Sequence, residues 1–168
     1  QPRSRGLGDV YKRQIFETTV KKWFEDKART WNKRLLFDAV WCGDSETLTQ
    51  EMNKLLRQTI SYHDYKEDFY HAFLLGIFAG AGCSVESNKE HGEGRSDVVV
   101  CDTINGHVAI FEAKRARSVD ELESECEKAL RQIDERMYAR DFEDEYDSDH
   151  IHCYGIAFYK KRCLVKKK

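Results

Sequence analysis

The sequence predicts an α/β domain with a mixed central sheet and helices on both sides, preceded by a helical segment. The first observation is the helical spacing of apolar residues over residues 15–59, 67–81 and 118–140. The second is a set of short apolar or alternating stretches between and after those helices, which is typical of strands. Those stretches are residues 83–87, 97–102, 107–114 and 151–159, with a short edge strand at 160–168. The core therefore runs helix, three strands, helix, strand.

The chain divides into three parts. Residues 1–14 are basic, contain glycine and lack periodicity, so we expect a non-native or unstructured segment outside the fold. Residues 15–60 are expected to be helical, with a break at Gly43-Asp44-Ser45. This helical segment either packs on the core or joins it to a domain upstream of the chain, and both hypotheses stay open. Residues 61–168 are expected to form the domain that carries the chemistry.

Each element of the core has a local justification. Residues 67–81 are apolar nearly all round, which predicts a buried helix. Residues 88–94 are polar and contain two glycines, so we expect a loop there. Asn105-Gly106 lies between apolar stretches and predicts a tight hairpin. Ser118 precedes Glu121 by three residues, the pattern of a capping box that opens a long helix.

Composition limits the classes of function. The net charge of −2 provides no overall attraction to nucleic acid, so such binding must use a local basic patch. None of the six cysteines forms C-x-x-C, which argues against a zinc ribbon or a thioredoxin-like motif and favours a reduced, cytoplasmic setting. Residues 1–20 lack an apolar secretory core, and the longest apolar stretch, Ala72–Val85, is too short to span a bilayer. We therefore expect no membrane partner.

Charged residues cluster at the end of one predicted hairpin. Side chains alternate along a strand, so Val108, Ile110, Glu112 and Lys114 share one face, and Asp97 opens the neighbouring strand. Two carboxylates that converge there repel each other unless a cation joins them, and oxygen ligands favour Mg²⁺ or Mn²⁺. Such an ion can polarise a phosphoryl oxygen, and a nearby lysine can stabilise developing negative charge. The pattern suits phosphodiester hydrolysis; the alternative is that both acids merely mark solvated strand ends.

These residues also carry a family resemblance. S-D97, fourteen residues and E112-A-K114 resemble the motif of the PD-(D/E)XK nuclease superfamily, and the order of elements is similar to its restriction-endonuclease-like core. The stretches I-S-Y-H-D-Y-K-E-D-F-Y-H-A-F-L-L-G and S-N-K-E-H-G-E-G-R-S-D resemble the nuclease-like domain that follows an AAA-ATPase-like domain in bacterial proteins. The resemblance implies a metal-dependent nuclease that acts on nucleic acid, with DNA as the first candidate. It also implies an upstream ATPase-like domain in the full-length protein.

The resemblance assigns a metal site residue by residue. It implies that Asp97 and Glu112 bind Mg²⁺ or Mn²⁺, with the backbone carbonyl of Ala113 as a further ligand. Lys114 corresponds to the catalytic lysine. Glu67 corresponds to an acidic residue of the first core helix, which reaches the metal in some members of the superfamily.

A second pair comes from the helix after the third strand. Gln132 and Tyr138 resemble a glutamine–tyrosine pair in related nucleases, where the glutamine lies near the metal and the substrate backbone. Their spacing is longer than Q-x-x-x-Y, so a tyrosine that simply flanks the core is the alternative for Tyr138. Ser96 also departs from the family pattern, since it stands where a proline is common.

Three weaker patterns remain. His150 and His152 in H-I-H-C could suggest a metal site, although strand alternation favours ordinary strand histidines. Basic residues at 114–117 and 160–162 could form a phosphate-binding rim or remain solvated charge. The acidic stretch 141–149 would repel DNA and is expected to point away from any substrate.

The leading hypothesis is therefore metal-dependent hydrolysis of nucleic acid. The first alternative is a catalytically inactive nuclease-like module that binds nucleic acid or a protein partner. The second is a domain that regulates the upstream ATPase-like domain. No G-x-x-x-x-G-K-[ST] occurs in the chain, which predicts that the chain itself does not hydrolyse ATP.

Overall fold

The structure, a computed structural model, describes residues 11, 18–19, 21–23, 25–26, 32–59, 67–81, 83–87, 90–91, 94–95 and 97–168. Most of the predicted segment 1–14, most of the helix expected within 15–31, and Ser96 lie outside the described residues. The helices with defined bounds are α1 (Arg34–Cys42), α2 (Ser45–Thr59), α3 (Glu67–Gly80) and α4 (Leu122–Glu135). The strands are β1 (Ser84–Ser87), β2 (Glu90–His91), β3 (Gly94–Arg95), β4 (Val98–Asp102), β5 (His107–Arg115), β6 (Ile151–Tyr159) and β7 (Arg162–Lys167).

Five of the strands form one mixed sheet in the order β1-β4-β5-β6-β7. Neighbours are antiparallel except β5 and β6, which are parallel and joined by α4. The predicted hairpin at Asn105-Gly106 is present, because Asp102 pairs with His107 and Gly106 has a φ of 70°. The fold class predicted from the sequence is thus confirmed.

Helices α1, α2 and α3 cover one face of the sheet. The ring of Phe111 in β5 stacks on Tyr154 of β6 with 5.0 Å between centroids, and the Tyr154 hydroxyl donates to the carbonyl of Val40 in α1. Asn53 of α2 exchanges hydrogen bonds with the backbone of Cys163 in β7. Helices α1 and α2, which lie within the predicted helical segment, therefore pack on the sheet. Within the described residues, no helix has both the length and the hydropathy to cross a bilayer.

Helix α4 and a following 3-10 helix, Tyr138–Phe142, cover the other face. The approach of α4 to β6 is close at Gly155, where an added Cβ would lie 2.5 Å from the carbonyl oxygen of Cys126. Only glycine leaves room for the helix backbone at this distance. The contact fixes the height of α4 above the strands that carry Glu112 and Lys114.

The start of α4 differs from the prediction. The helix begins at Leu122 rather than at Ser118, and no side chain caps it. The carboxylate of Glu121 instead accepts a hydrogen bond from the backbone N–H of Arg117 at 2.9 Å. The prediction of a capping box was wrong. The Glu121 carboxylate binds a backbone N–H of the loop that follows β5 and does not bind the first turn of α4.

The end of α4 also differs. The helix stops at Glu135 instead of continuing to about residue 140. Met137 takes a left-handed conformation with a φ of 52°, which ends the helical path, and the 3-10 helix starts at Tyr138. A left-handed methionine has a steric cost. Burial of Tyr138 and Phe142 against the sheet offsets that cost.

Two further stretches refine the predictions. Residues 90–95 contain a small antiparallel pair, β2 with β3, where a loop was expected. In β6 the predicted alternation holds, since His152 lies beside Trp41 of α1 while Cys153 joins the cluster under α4. Burial, followed by the charge of Lys167, lowers the pKa of His152 to about 4.

Candidate functional site

The β4–β5 hairpin brings the predicted acidic pair together at one end of the sheet. Val98, the first residue of β4, pairs with Phe111 of β5. Continuing that antiparallel register by one step sets Asp97 opposite Glu112 on the same face, with Cβ atoms about 5 Å apart. Lys114 lies two residues further along β5 and shares that face. Alternation and the hairpin thus account for the convergence expected from the sequence.

A backbone hydrogen bond orients Asp97. Its Oδ2 accepts from the N–H of Ala113 at 2.8 Å. Strand β4 has already ended at this level, so the carboxylate takes the place of a strand partner for β5. The bond holds the Oδ2 atom of Asp97 against β5, the strand that carries Glu112.

Lys114 joins the acidic pair to helix α4. Its Nζ lies 2.8 Å from Oε1 of Glu112 and 2.7 Å from Oε1 of Gln132. The Nε2 of Gln132 in turn donates to the hydroxyl of Tyr138 at 3.1 Å. The break at Met137 brings this hydroxyl back to Gln132 despite the long spacing in sequence. The structure therefore brings together the glutamine and tyrosine that the resemblance had paired.

Glu112 is almost fully buried, with 2% of its surface exposed. Burial raises the pKa of Glu112 to about 7, the negative charge of Asp97 adds to the rise, and Lys114 opposes it. Its Oε2 is buried and has no hydrogen-bond partner among the described residues. A buried carboxylate oxygen without a donor is costly. A cation between Asp97 and Glu112 would give Oε2 a partner and would offset the repulsion between the two carboxylates.

The donors present fit a hard divalent ion. Asp97 and Glu112 supply carboxylate oxygens, and Ala113 has a backbone carbonyl for the role that the resemblance implies. Helix α3 begins at Glu67, whose side chain lies outside the described residues. In the part of the chain that the structure describes, no three histidine, cysteine, aspartate or glutamate side chains are already placed to hold an ion. An ion such as Mg²⁺, which keeps several waters, suits a site with two carboxylates.

Sequence reasoning missed the role of Gly94. A Cβ added there would lie 3.0 Å from Cε1 and 3.1 Å from the hydroxyl of Tyr138. The small β2–β3 pair therefore rests on the tyrosine that holds Gln132. The only signal in the sequence is the glycine pair Gly92 and Gly94, which is equally typical of a loop.

Charge is distributed unevenly between the two ends of the sheet. Arg115 closes β5, and it pairs across to Phe158, next to the turn that holds Lys160 and Lys161. These basic residues and the Asp97–Glu112 pair are at the same end. At the opposite end, acidic residues 143–147 line a cleft with Gly106 and His150. Residues 143–147 of the acidic stretch therefore lie at the end of the sheet away from the Asp97–Glu112 pair.

The mixed sheet, the helices on both faces and a lysine beside two converging acids define an α/β domain of the nuclease class. A family model described as the PD-(D/E)XK nuclease superfamily matches residues 65–168. The chain belongs to this superfamily, which confirms the resemblance of its sequence to the PD-(D/E)XK motif. A comparison with curated proteins finds no match.

Proposed function

We propose that the chain is a divalent-metal-dependent nuclease that hydrolyses phosphodiester bonds in nucleic acid, with DNA as its substrate. The observation that carries the proposal is the buried, unpaired Oε2 of Glu112 beside Asp97 and Lys114. Superfamily membership supports nuclease chemistry in general. The two acids and the lysine supply the particular groups for it.

Asp97, Glu112 and the carbonyl of Ala113 would hold Mg²⁺ or Mn²⁺, with Glu67 as a further ligand. The bound ion would neutralise negative charge at the phosphate and lower the pKa of water. The Ala113 N–H already orients the Asp97 carboxylate. The side chain would therefore lose little conformational freedom when it binds the ion.

Lys114 acts on the reacting phosphate. Its ammonium group has three N–H donors, and Glu112 and Gln132 accept two of the hydrogen bonds described. The remaining donor can orient the attacking water or stabilise the charge that develops on the phosphate oxygens. Gln132 acts through Lys114 as a positioning residue, and the Tyr138 hydroxyl fixes the orientation of its amide.

The charge distribution supports a direction of approach. A phosphate backbone is attracted to the end of the sheet with Arg115 and the β6–β7 turn and is repelled by acidic residues 143–147 at the other end. The net charge of −2 does not oppose this, because Arg115 and the β6–β7 turn lie at the same end of the sheet as the acidic pair.

The test is cleavage of labelled single- and double-stranded DNA and RNA with Mg²⁺, with Mn²⁺ and with a chelator. We expect cleavage only with a metal, and loss of cleavage in Asp97→Asn. Asp38→Asn is the matched control, because Asp38 is an exposed aspartate on α1. A folded wild-type protein that binds DNA but cleaves none of these substrates would favour the inactive binding module. Cleavage of RNA alone would overturn the assignment of DNA.

A further inference from the structure

Three histidines meet at the end of the sheet opposite Glu112. His107 is the first residue of β5, and His152 is the second residue of β6. His150 ends the 3-10 helix that leads into β6. The parallel register pairs Val108 with Ile151, so the residues just before them, His107 and His150, lie side by side.

The three rings are in close contact. Nε2 of His152 lies 3.4 Å from Nδ1 of His107. The ring centroids of His107 and His150 are 4.2 Å apart, and those of His107 and His152 are 5.6 Å apart. Trp41 of α1 covers the group from one side, with its ring 5.6 Å from His107 and 6.1 Å from His152.

His152 is poorly satisfied where it lies. Only 3% of its surface is exposed, and its Nδ1 has no hydrogen-bond partner among the described residues. In proteins, the partner of one ring nitrogen usually decides which nitrogen carries the proton. No described group at Nδ1 fixes the tautomer of His152, so the neutral form with a lone pair on Nε2, the nitrogen that faces His107, is open to it.

We propose that His107 and His152, completed by His150, form a second metal site in this protein, one that takes Zn²⁺. Two nitrogens bound to tetrahedral zinc at 2.0–2.1 Å are separated by about 3.4 Å, and this is the distance between Nδ1 of His107 and Nε2 of His152. The described side chains do not yet place a third donor around the same point. His150, half-buried and next to His107, supplies it by rotating its ring.

A neighbouring acidic cleft points to a cation as the ligand. His150 forms one wall of this cleft, which has a volume of about 280 Å³. Its other walls are Gly106 and residues 143–147, a segment with four carboxylates. Negative charge close to a site raises the local concentration of cations. The imidazoles and the carboxylates, which meet at His150, favour the same class of ligand, and the four carboxylates outnumber the one ammonium group, Lys167, that acts on His152.

The ligand chemistry separates this site from the Asp97–Glu112 pair. Imidazole nitrogens favour Zn²⁺, Cu²⁺ and Ni²⁺, whereas carboxylates favour Mg²⁺ and Mn²⁺. A bound zinc ion would tie the start of β5 to the turn before β6. It would therefore stabilise the fold rather than take part in cleavage, and it does not depend on the proposed function.

The experiment measures Zn²⁺ binding by isothermal titration in the Asp97→Asn protein, so that the carboxylate site does not contribute. We expect one equivalent of Zn²⁺ and a rise in melting temperature. Adding His107→Gln should weaken Zn²⁺ binding by at least about tenfold. Loss of a residue that only supports a metal ligand already costs that much affinity, and loss of the ligand itself should cost no less. His71→Gln, which removes an imidazole from α3, is the matched control and should bind as before.

Electron paramagnetic resonance of bound Cu²⁺ provides a second measurement. Couplings to two or more nitrogens are expected, and His107→Gln should reduce their number. His107 is the deciding variant, because His152 is buried and its replacement could unfold the chain. Failure to bind Zn²⁺, or equal affinity in His107→Gln and His71→Gln, overturns the proposal, and the two rings then share only a hydrogen bond.

Discussion

The Glu112 carboxylate is surrounded by protein, and burial together with the charge of Asp97 raises its pKa to about 7. In the unfolded chain its pKa is near 4.5. Between these two values the folded state keeps a proton that the unfolded state has lost. The free energy of unfolding of the metal-free protein therefore falls as pH rises from about 4.5 to about 7, and stays lower above that range.

The first prediction follows from this linkage. Glu112→Gln removes the buried charge, so the metal-free variant should be more stable than the wild type at pH 8 by about 1–3 kcal/mol. Near pH 4.5 that advantage should disappear. Urea unfolding at both pH values measures it, with Glu135→Gln as a control on an exposed carboxylate. Mn²⁺ should stabilise the wild type and not Glu112→Gln. An equal difference at both pH values would contradict the assignment.

The second prediction concerns Lys114. If the ammonium group acts on charge that develops during cleavage, Lys114→Ala should lower the single-turnover rate by roughly 10²–10³-fold. DNA affinity, measured with Ca²⁺ to prevent cleavage, should change little. Lys128→Ala is the matched control, because Lys128 pairs with Glu125 on the exposed side of α4. A rate like that of the control would remove Lys114 from the mechanism.

At the scale of elements, the contact of α4 with β6 connects stability to the site. Gly155 allows the helix to lie close to the strand, and α4 carries Gln132 to Lys114. The third prediction is that Gly155→Ala lowers the free energy of unfolding by about 1–3 kcal/mol, because its Cβ would overlap the Cys126 carbonyl. Thermal melting measures this, and the helix shift should also slow cleavage.

Ser84→Ala is the control for that variant, because Ser84 is exposed on the edge strand β1. It should change stability by no more than about 0.5 kcal/mol. If Gly155→Ala has the same melting temperature as this control, α4 can move away from β6 without loss of stability.

Local pattern was enough to predict the five strands of the main sheet and the hairpin. Alternation and Asn105-Gly106 are properties of neighbouring residues, and the structure has the pairing that they predict. The end of α4 could not be predicted in the same way. Helical spacing continues past Met137, and the left-handed turn there is set by burial of Tyr138 against a sheet that is distant in sequence.

The same division applies to the candidate site. Asp97, Glu112 and Lys114 lie on one hairpin, so strand alternation and the pairing through its turn predicted that they would meet. The contact of Gln132 with Lys114 depends on how a separate helix packs, and the resemblance, not the spacing, indicated it. The contact of Gly94 with Tyr138 left no signal that distinguishes it from an ordinary loop glycine.

At the scale of the whole molecule, the separation of charge predicts which surface binds nucleic acid. Arg115 and Arg162 lie at the end of the sheet that carries the acidic pair, whereas Lys167 lies at the far end of β7. The fourth prediction is that Arg115→Glu with Arg162→Glu weakens DNA binding by about tenfold or more and lowers its salt dependence. Fluorescence anisotropy in the Asp97→Asn background measures both quantities.

The matched control reverses two charges elsewhere, Arg34→Glu with Lys167→Glu. Net charge changes equally in the two double variants, so a general electrostatic effect would weaken both alike. If both lose the same affinity, the basic end of the sheet is not the binding surface. A loss confined to Arg115 and Arg162 supports the proposed approach.

The mixed sheet also has a consequence for the order in which the chain folds. The β4–β5 hairpin closes over a four-residue turn, whereas β5 and β6 meet only after residues 116–150 have found their place. Contacts between distant parts of a chain form more slowly than local ones. Asp97 and Glu112 should thus face each other early in folding. Gln132 reaches Lys114 only when α4 has connected β5 to β6. The two carboxylates would therefore be in place in a partly folded chain before the site is complete.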